Sequence, residues 1–386
     1  MKYLYITLIA SLLVSCKSDD SDFEELKKMT REKPLEIVVP SSRISETDTI
    51  IIPKSELDTT YNDYIEHLDA KAFVLIEYKG NDAYVIGTAP FTKDGAHVTV
   101  TTSRRTEITV LGSSENGSLT ITPSVPLDKE QQYRCAVILD NVKLHNPSGA
   151  AINSQLKKRL LIHCNDNTTN TISCIAPQTG DEIPDVTLYG KGCIFSEDNI
   201  IFSGKGTLNV TSSFRNCVAA DDRIVVRPNT FITLSASRGN GMKANDGVFI
   251  NGGQTTIFST GTTEYKKVPI SPECPQGIDT VNCAGIKTDY SVFINHGLLQ
   301  VKCEGENSKG IKADYDYIQT GGEVKIVTLG PKLIASPKAL KADKDITISA
   351  GTFYAYSKFA EAIEADGTCT ISPKKDDKGY MIKVGE

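Results

Sequence analysis

Five copies of one short phrase place a lysine or glutamate two residues before an acid or amide. They are Gly241-Met-Lys-Ala-Asn245, Gly285-Ile-Lys-Thr-Asp289, Gly310-Ile-Lys-Ala-Asp314, Ala339-Leu-Lys-Ala-Asp343 and Ala362-Ile-Glu-Ala-Asp366. In a strand, residues i and i+2 share a face. Stacked copies would therefore align Lys243, Lys287, Lys312 and Lys341 as one column. Asn245, Asp289, Asp314 and Asp343 would form another, prolonged by Asp221 and Asp366. Such a face has two readings. Its lysines could meet uronate carboxylates or sugar hydroxyls, and its aspartates could accept from hydroxyls or offer oxygen ligands to Ca²⁺. Alternatively the opposed columns neutralise each other and contribute little beyond solubility. Asp221, Asp222 and Asp246 are the candidate calcium ligands.

The elements that must carry these residues follow from the spacing. The apolar anchors are Ile152, Ile194, Val218, Met242, Ile286, Ile311, Leu340 and Ile363, and four of their seven separations fall at 23–25 residues. Short β-rich stretches such as Val248-Phe-Ile250 and Val292-Phe-Ile294 follow the copies. A strand-bearing unit of about 24 residues predicts stacked turns, because one unit cannot bury its apolar face alone. The expected class is all-β: a right-handed parallel β-helix, a solenoid, with N-terminal cap strands. Within each copy the Ile and Ala side chains should point inward and the Lys and Asp outward.

The chain has 386 residues, a formal charge of −6, 29 glycines and no tryptophan. That modest charge gives no reason to expect a nucleic-acid partner. Met1 to Cys16 carries a lysine, a short apolar run and Leu13-Val-Ser-Cys16, the pattern of a bacterial lipobox. On that likeness Cys16 is the lipidated residue, joining the protein to outer-membrane lipid. The acidic stretch after it resembles a surface-export signal, so a cell-surface lipoprotein is expected, with a periplasm-facing one as the alternative. The expected organisation is a signal peptide (1–15), an acidic tether (16–33), an N-terminal cap or irregular segment (34–71), a carbohydrate-binding β-helix (72–372, with an insertion at about 261–284) and a C-terminal cap (373–386).

The series of copies resembles a bacterial carbohydrate-binding family with a pectate-lyase-like parallel β-helix. Gly285-Ile-Lys-Thr-Asp-Tyr-Ser-Val-Phe-Ile-Asn-His-Gly297 follows its repeat closely, and Gly241 to Gly253 keeps a Gly252-Gly253 pair. The resemblance implies polysaccharide binding without catalysis, and bound calcium in some members. The acidic residues that many family repeats carry just before Gly-Ile-Lys are replaced here, for instance by Ser308-Lys309 and Pro337-Lys338.

Tyr265, Tyr290, Tyr315 and Tyr317 are candidates for stacking on sugar rings, being apolar in body and polar at the tip. The first of them lies in the proline-bearing insertion. Nine cysteines remain after Cys16. Cys164, Cys303 and Cys369 fall at core positions, Cys193 and Cys217 at equivalent positions of neighbouring turns, and Cys274 and Cys283 are the best disulfide candidates. Hydrolase, P-loop and dinucleotide motifs are absent, and the five histidines show no pairing. Asp221-Asp222-Arg223 is the cluster a lyase would need. The favoured function is therefore non-catalytic binding of an acidic or β-linked extracellular polysaccharide by a monomer. A pectin-type lyase or hydrolase and an adhesive surface protein are the alternatives.

Overall fold

The structure is a computed structural model. It describes residues 61–124, 133–177, 185–262, 264–267, 278–281, 283–333, 335–371 and 382–384, together with Val14–Ser15 and Ile270. Cys16, the tether, Cys274 and most of the 34–71 segment lie outside the described residues.

Alternation of apolar and polar residues produces strands, and the repeat decides which strands meet. Parallel pairs join Ile152 to Ile194, Ile194 to Val218, Val218 to Met242, Met242 to Ile286, Ile286 to Ile311, Ile311 to Leu340 and Leu340 to Ile363. All eight anchors thus occupy one column, and all are buried in one continuous apolar cluster. These strands belong to an eleven-stranded sheet that begins at the Phe91–Asp94 and Ala96–Thr102 pair. A nineteen-stranded sheet supplies the rest of the wall, and a two-stranded hairpin, Glu264–Lys267 with Ile278–Val281, sits in the insertion.

The all-β class holds, but the right-handed parallel β-helix solenoid with separate N-terminal cap strands is corrected to this two-sheet architecture. Two physical reasons can be named. First, Val248–Ser259 and Val292–Cys303 run for twelve residues each and bend without ending, so segments that look like separate strands in the sequence join one sheet. Gly253 makes the bend, with φ of 69° and no room for a Cβ, which would lie 2.2 Å from the Thr230 carbonyl oxygen. Second, the N-terminal strands are not a separate cap. Ala72–Lys79 pairs in parallel with Thr106–Ser114 inside the large sheet, while Asp82–Gly87 folds back on it antiparallel.

The segment before Ala72 forms two short 3-10 turns, Tyr61–Asp63 and Ile65–His67. They lie against the outside of the large sheet, where Leu68 packs with Ala136, Leu161, Ile201, Val225 and Phe249. Arg159 holds buried Asp63 at 2.5 Å, and Arg227 lies over the Tyr64 ring at 4.1 Å. At the other end, Ile382–Val384 adds a parallel strand beside Thr352–Ser357.

The Gly of Gly-Ile-Lys has a packing cause. A Cβ on Gly241, Gly285 or Gly310 would lie 2.4, 2.2 or 2.1 Å from a methyl of Ile257, Val301 or Ile326 respectively. Those three are themselves in register, and the next residue of their column is Ala355. On that same turn the repeat carries Ala339 instead of glycine. The repeat and the opposite sheet therefore vary in compensating size.

Candidate functional site

The lysine column exists, and it has limits. In register it runs Asn153, Phe195, Ala219, Lys243, Lys287, Lys312, Lys341 and Glu364. Four stacked ammonium groups at roughly 4.8 Å spacing would repel strongly if left alone. The acid column answers this by pairing across turns. Lys243 meets Asp289 at 2.6 Å, and Lys312 meets its own Asp314 at 2.9 Å and Asp343 on the next turn. Lys341 meets Asp343 at 3.6 Å, Asp366 at 3.3 Å and Glu364. Burial pushes the Lys243 ammonium below its ordinary pKa despite the Asp289 carboxylate beside it. Self-neutralisation thus accounts for three of the four lysines. Among the described residues Lys287 has no ion pair.

Lys287 is followed three residues later by Tyr290, at the bend that leaves the strand. Backbone hydrogen bonds place Tyr290, Tyr315 and Lys344 on successive turns, Tyr315 N–H donating to Tyr290 O and Lys344 N–H to Tyr315 O. The two tyrosine rings stack at 5.3 Å with 14° between planes, and they stay 46% and 43% exposed. Exposed aromatic surface, three residues along the chain from a lysine that has no ion pair among the described residues, is the arrangement a sugar-acid chain can use.

Other expected residues fall elsewhere. Tyr317 is fully buried, donating its hydroxyl to Gln319 Oε1 at 3.0 Å and meeting Phe353 edge-on, so it belongs to the core. Tyr315 lies in the bend between Lys309–Ala313 and Tyr317–Gln319, whereas Tyr317 opens the second of these strands and is buried. Tyr265 lies in the insertion hairpin, and its side chain is outside the described residues. Asp221, expected as a calcium ligand, accepts from Lys191 Nζ through both carboxylate oxygens at 2.5 Å. The Asp222 carbonyl receives the Asn245 and Asp246 N–H groups. Among the described residues no three His, Cys, Asp or Glu side chains gather as a metal group. Arg223, the base of the lyase alternative, donates to Asn199 Oδ1 at 2.8 Å.

Cys193 and Cys217 are buried neighbours, since Gly192 pairs with Asn216 and Ile194 with Val218. Burial raises both thiols, and Cys174 beside Cys193 adds to the effect. They are protonated packing groups at neutral pH. The Cys283 thiol donates to the Thr262 carbonyl at 2.9 Å, while its expected partner Cys274 is outside the described residues.

Three charged residues at this face were missed. Lys309 and Lys338 stand in register one strand position before the glycine or alanine, each 5% exposed. Glu364 takes the lysine place in the last copy. Lys338 reaches Glu364 at 2.7 Å and Glu361 at 3.4 Å. The sequence did carry the signal, as the departures Ser308-Lys309, Pro337-Lys338 and Ile363-Glu364 from the repeat. Burial brings Lys309 down to about 8, with the neighbouring lysines adding to the fall and Glu364 opposing it. Its ammonium donates to the Ser336 carbonyl.

The sign of that shift makes a prediction. A lysine whose folded pKa lies below its ordinary 10.5 is disfavoured as an ammonium in the native state. Its cost is complete below pH 8 and is relieved as pH climbs from 8 to 10.5. Lys309→Met should therefore be more stable than the parent at pH 7, by on the order of 1 kcal/mol after the lost Ser336 bond is counted. Melting temperatures at pH 7 and pH 10 check it. An advantage that fails to shrink at the higher pH would mean that Lys309 is not strained.

A carbohydrate-binding domain-containing protein model matches residues 94–374, more than half of the chain. The chain belongs to that family. No curated protein matches the sequence. Among solved structures, a polysaccharide lyase-like protein from C. thermocellum, studied as a gadolinium derivative, aligns at 15% identity with a TM-score of 0.46. The alignment covers 82% of this chain and 99% of that one, and at this level it carries no functional inference.

Proposed function

We propose that this protein binds an acidic polysaccharide along the lysine–aspartate face of its eleven-stranded sheet and does not cleave it. The observation that carries the reading is the exposed Tyr290–Tyr315 stack, which begins three residues after Lys287, the one column lysine without a carboxylate partner among the described residues. The tyrosines offer apolar surface to sugar rings, and Lys287 selects a uronate carboxylate. Family membership supports carbohydrate as the ligand class. The engagement of Asp221 by Lys191 and of Arg223 by Asn199 supports binding over cleavage, because the groups a lyase would use already hold the framework together. Lipidation at Cys16 would present this face at the outer membrane, and labelling with a radioactive fatty acid, lost in Cys16→Ser, tests that part.

Affinity electrophoresis through a polyuronate gel tests the binding. The parent should be retarded. The double variant Tyr290→Ala/Tyr315→Ala should bind at least about tenfold more weakly, the loss of roughly 1.4 kcal/mol. Lys287→Ala should weaken binding to the polyuronate and leave a neutral glycan unaffected. Release of unsaturated uronate ends during incubation would overturn the non-catalytic reading.

A further inference from the structure

The lysine column stops at both ends, and for different reasons. On the N-terminal side the positions before Lys243 are Ala219, Phe195 and Asn153, and all three are buried. The chain around the short helix Val186–Tyr189 covers two of them. Asn153 Nδ2 donates to the Thr187 carbonyl at 3.1 Å, and a Cβ on Gly190 would touch the Phe195 ring at 3.4 Å. Lys191 then places its ammonium 5.4 Å from the centre of that ring. A sugar chain lying across the strands is stopped there by the protein itself.

At the other end the obstacle is charge. Ile363–Ala365 is the last strand of the eleven-stranded sheet among the described residues, and Glu364 stands in register with Lys341. Its side chain is 34% exposed. Burial would raise its pKa, but Lys338 and Lys341 outweigh that and hold it at about 2, so it is a carboxylate at neutral pH. Glu361 and Asp366 add two more exposed carboxylates, and these three acids already engage Lys338 and Lys341. A further carboxylate brought to this turn meets like charge and two lysines that are paired. An uncharged sugar unit meets acceptors for its hydroxyls instead. The stretch open to acid therefore runs from Lys243 to Lys312, three turns roughly 4.8 Å apart.

We propose that Glu364 is a specificity residue that ends the acidic part of the seat, so that the protein takes a short run of uronates with an uncharged unit against the last turn. A methyl-esterified uronate is such a unit. The inference rests on the acidic-polysaccharide reading above and adds to it a preference for partly esterified chains over fully acidic ones.

Calorimetric titration of the full chain at pH 7 tests it, with a fully acidic and a partly methyl-esterified hexauronate as probes. The parent should bind the esterified probe at least about threefold more tightly, the size of one like-charge contact in water. Glu364→Gln should strengthen binding of the acidic probe by a similar factor and leave the esterified one unchanged. Glu323→Gln makes the same change of charge on the large sheet, where its partner is Lys325, and should alter neither. A melting curve shows that each variant is folded. The parent gives a second reading that needs no variant: a fully acidic hexamer should bind no more tightly than the trimer. No preference in the parent, a hexamer much tighter than the trimer, equal gains on both probes in Glu364→Gln, or the same gain in Glu323→Gln would each overturn the proposal. A parent that binds neither probe overturns the acidic-polysaccharide reading and this inference with it, whereas binding without discrimination overturns this inference alone.

Discussion

Gly310→Ala should destabilise the protein by about 3 kcal/mol, although it adds a single methyl group. The new Cβ would lie 2.1 Å from Ile326 Cγ2 and 2.4 Å from the Ala339 carbonyl oxygen. Neither contact is easily relieved. Ile326 is fully buried, its methyl branches directly from Cβ, and the carbonyl belongs to the next strand of the ladder. Truncating the opposite side chain should give part of the loss back. Ile326→Ala alone removes buried methyl groups and leaves a cavity, at a cost of about 2–5 kcal/mol. Combined with Gly310→Ala, the added methyl finds space, as on the turn where Ala339 and Ala355 already occur together. The double variant should be more stable than the sum of the single losses by more than about 1 kcal/mol. Urea unfolding of the four proteins measures that coupling. Strict additivity would show that glycine is required by the backbone and not by the opposite sheet.

Glu364→Gln should cost about 2 kcal/mol at neutral pH, and the cost should fade in acid. Burial alone would raise the Glu364 pKa. Hydrogen bonds and charge from Lys338 and Lys341 outweigh it and hold the carboxyl at about 2, against an ordinary value of 4.5. A depressed carboxylate contributes stability that is fully present above 4.5 and is lost as pH falls towards 2. The shift alone would correspond to roughly 3 kcal/mol, reduced here because the side chain keeps about a third of its exposure and because Lys338 and Lys341 have further acidic neighbours. The glutamine variant leaves Lys338, only 6% exposed at its side chain, with Glu361 alone at 3.4 Å. Unfolding free energies of parent and variant at pH 7, 4.5 and 3 should therefore converge as the pH drops. A constant difference would mean that Glu364 acts through shape and not through charge.

These two residues also show how much could be foreseen. The glycine recurs visibly in the repeat, but its cause lies sixteen residues downstream in a strand of the other sheet, as with Gly310 and Ile326. Spacing along a chain carries no information about which side chain faces which across a core. Glu364 was visible as the odd member of its column, yet its partner Lys338 belongs to a neighbouring column whose register only the folded ladder reveals. Tyr315 and Tyr317 look alike in sequence, and one is an exposed ring while the other is fully buried.

By itself the sequence determined the vertical order. A recurring apolar anchor at near-constant spacing puts Ile152 through Ile363 in one buried column, because no other register covers them all. It determined the lysine and acid columns too, since strand parity follows from alternation. Only the tertiary structure decided that bent strands join the walls into two sheets, that three of the four lysines are neutralised by acids on their own and adjoining turns, and that Lys287 has no ion pair among the described residues. Those outcomes depend on angstrom-scale distances between side chains far apart in the chain, and electrostatic pairing changes steeply with such distances.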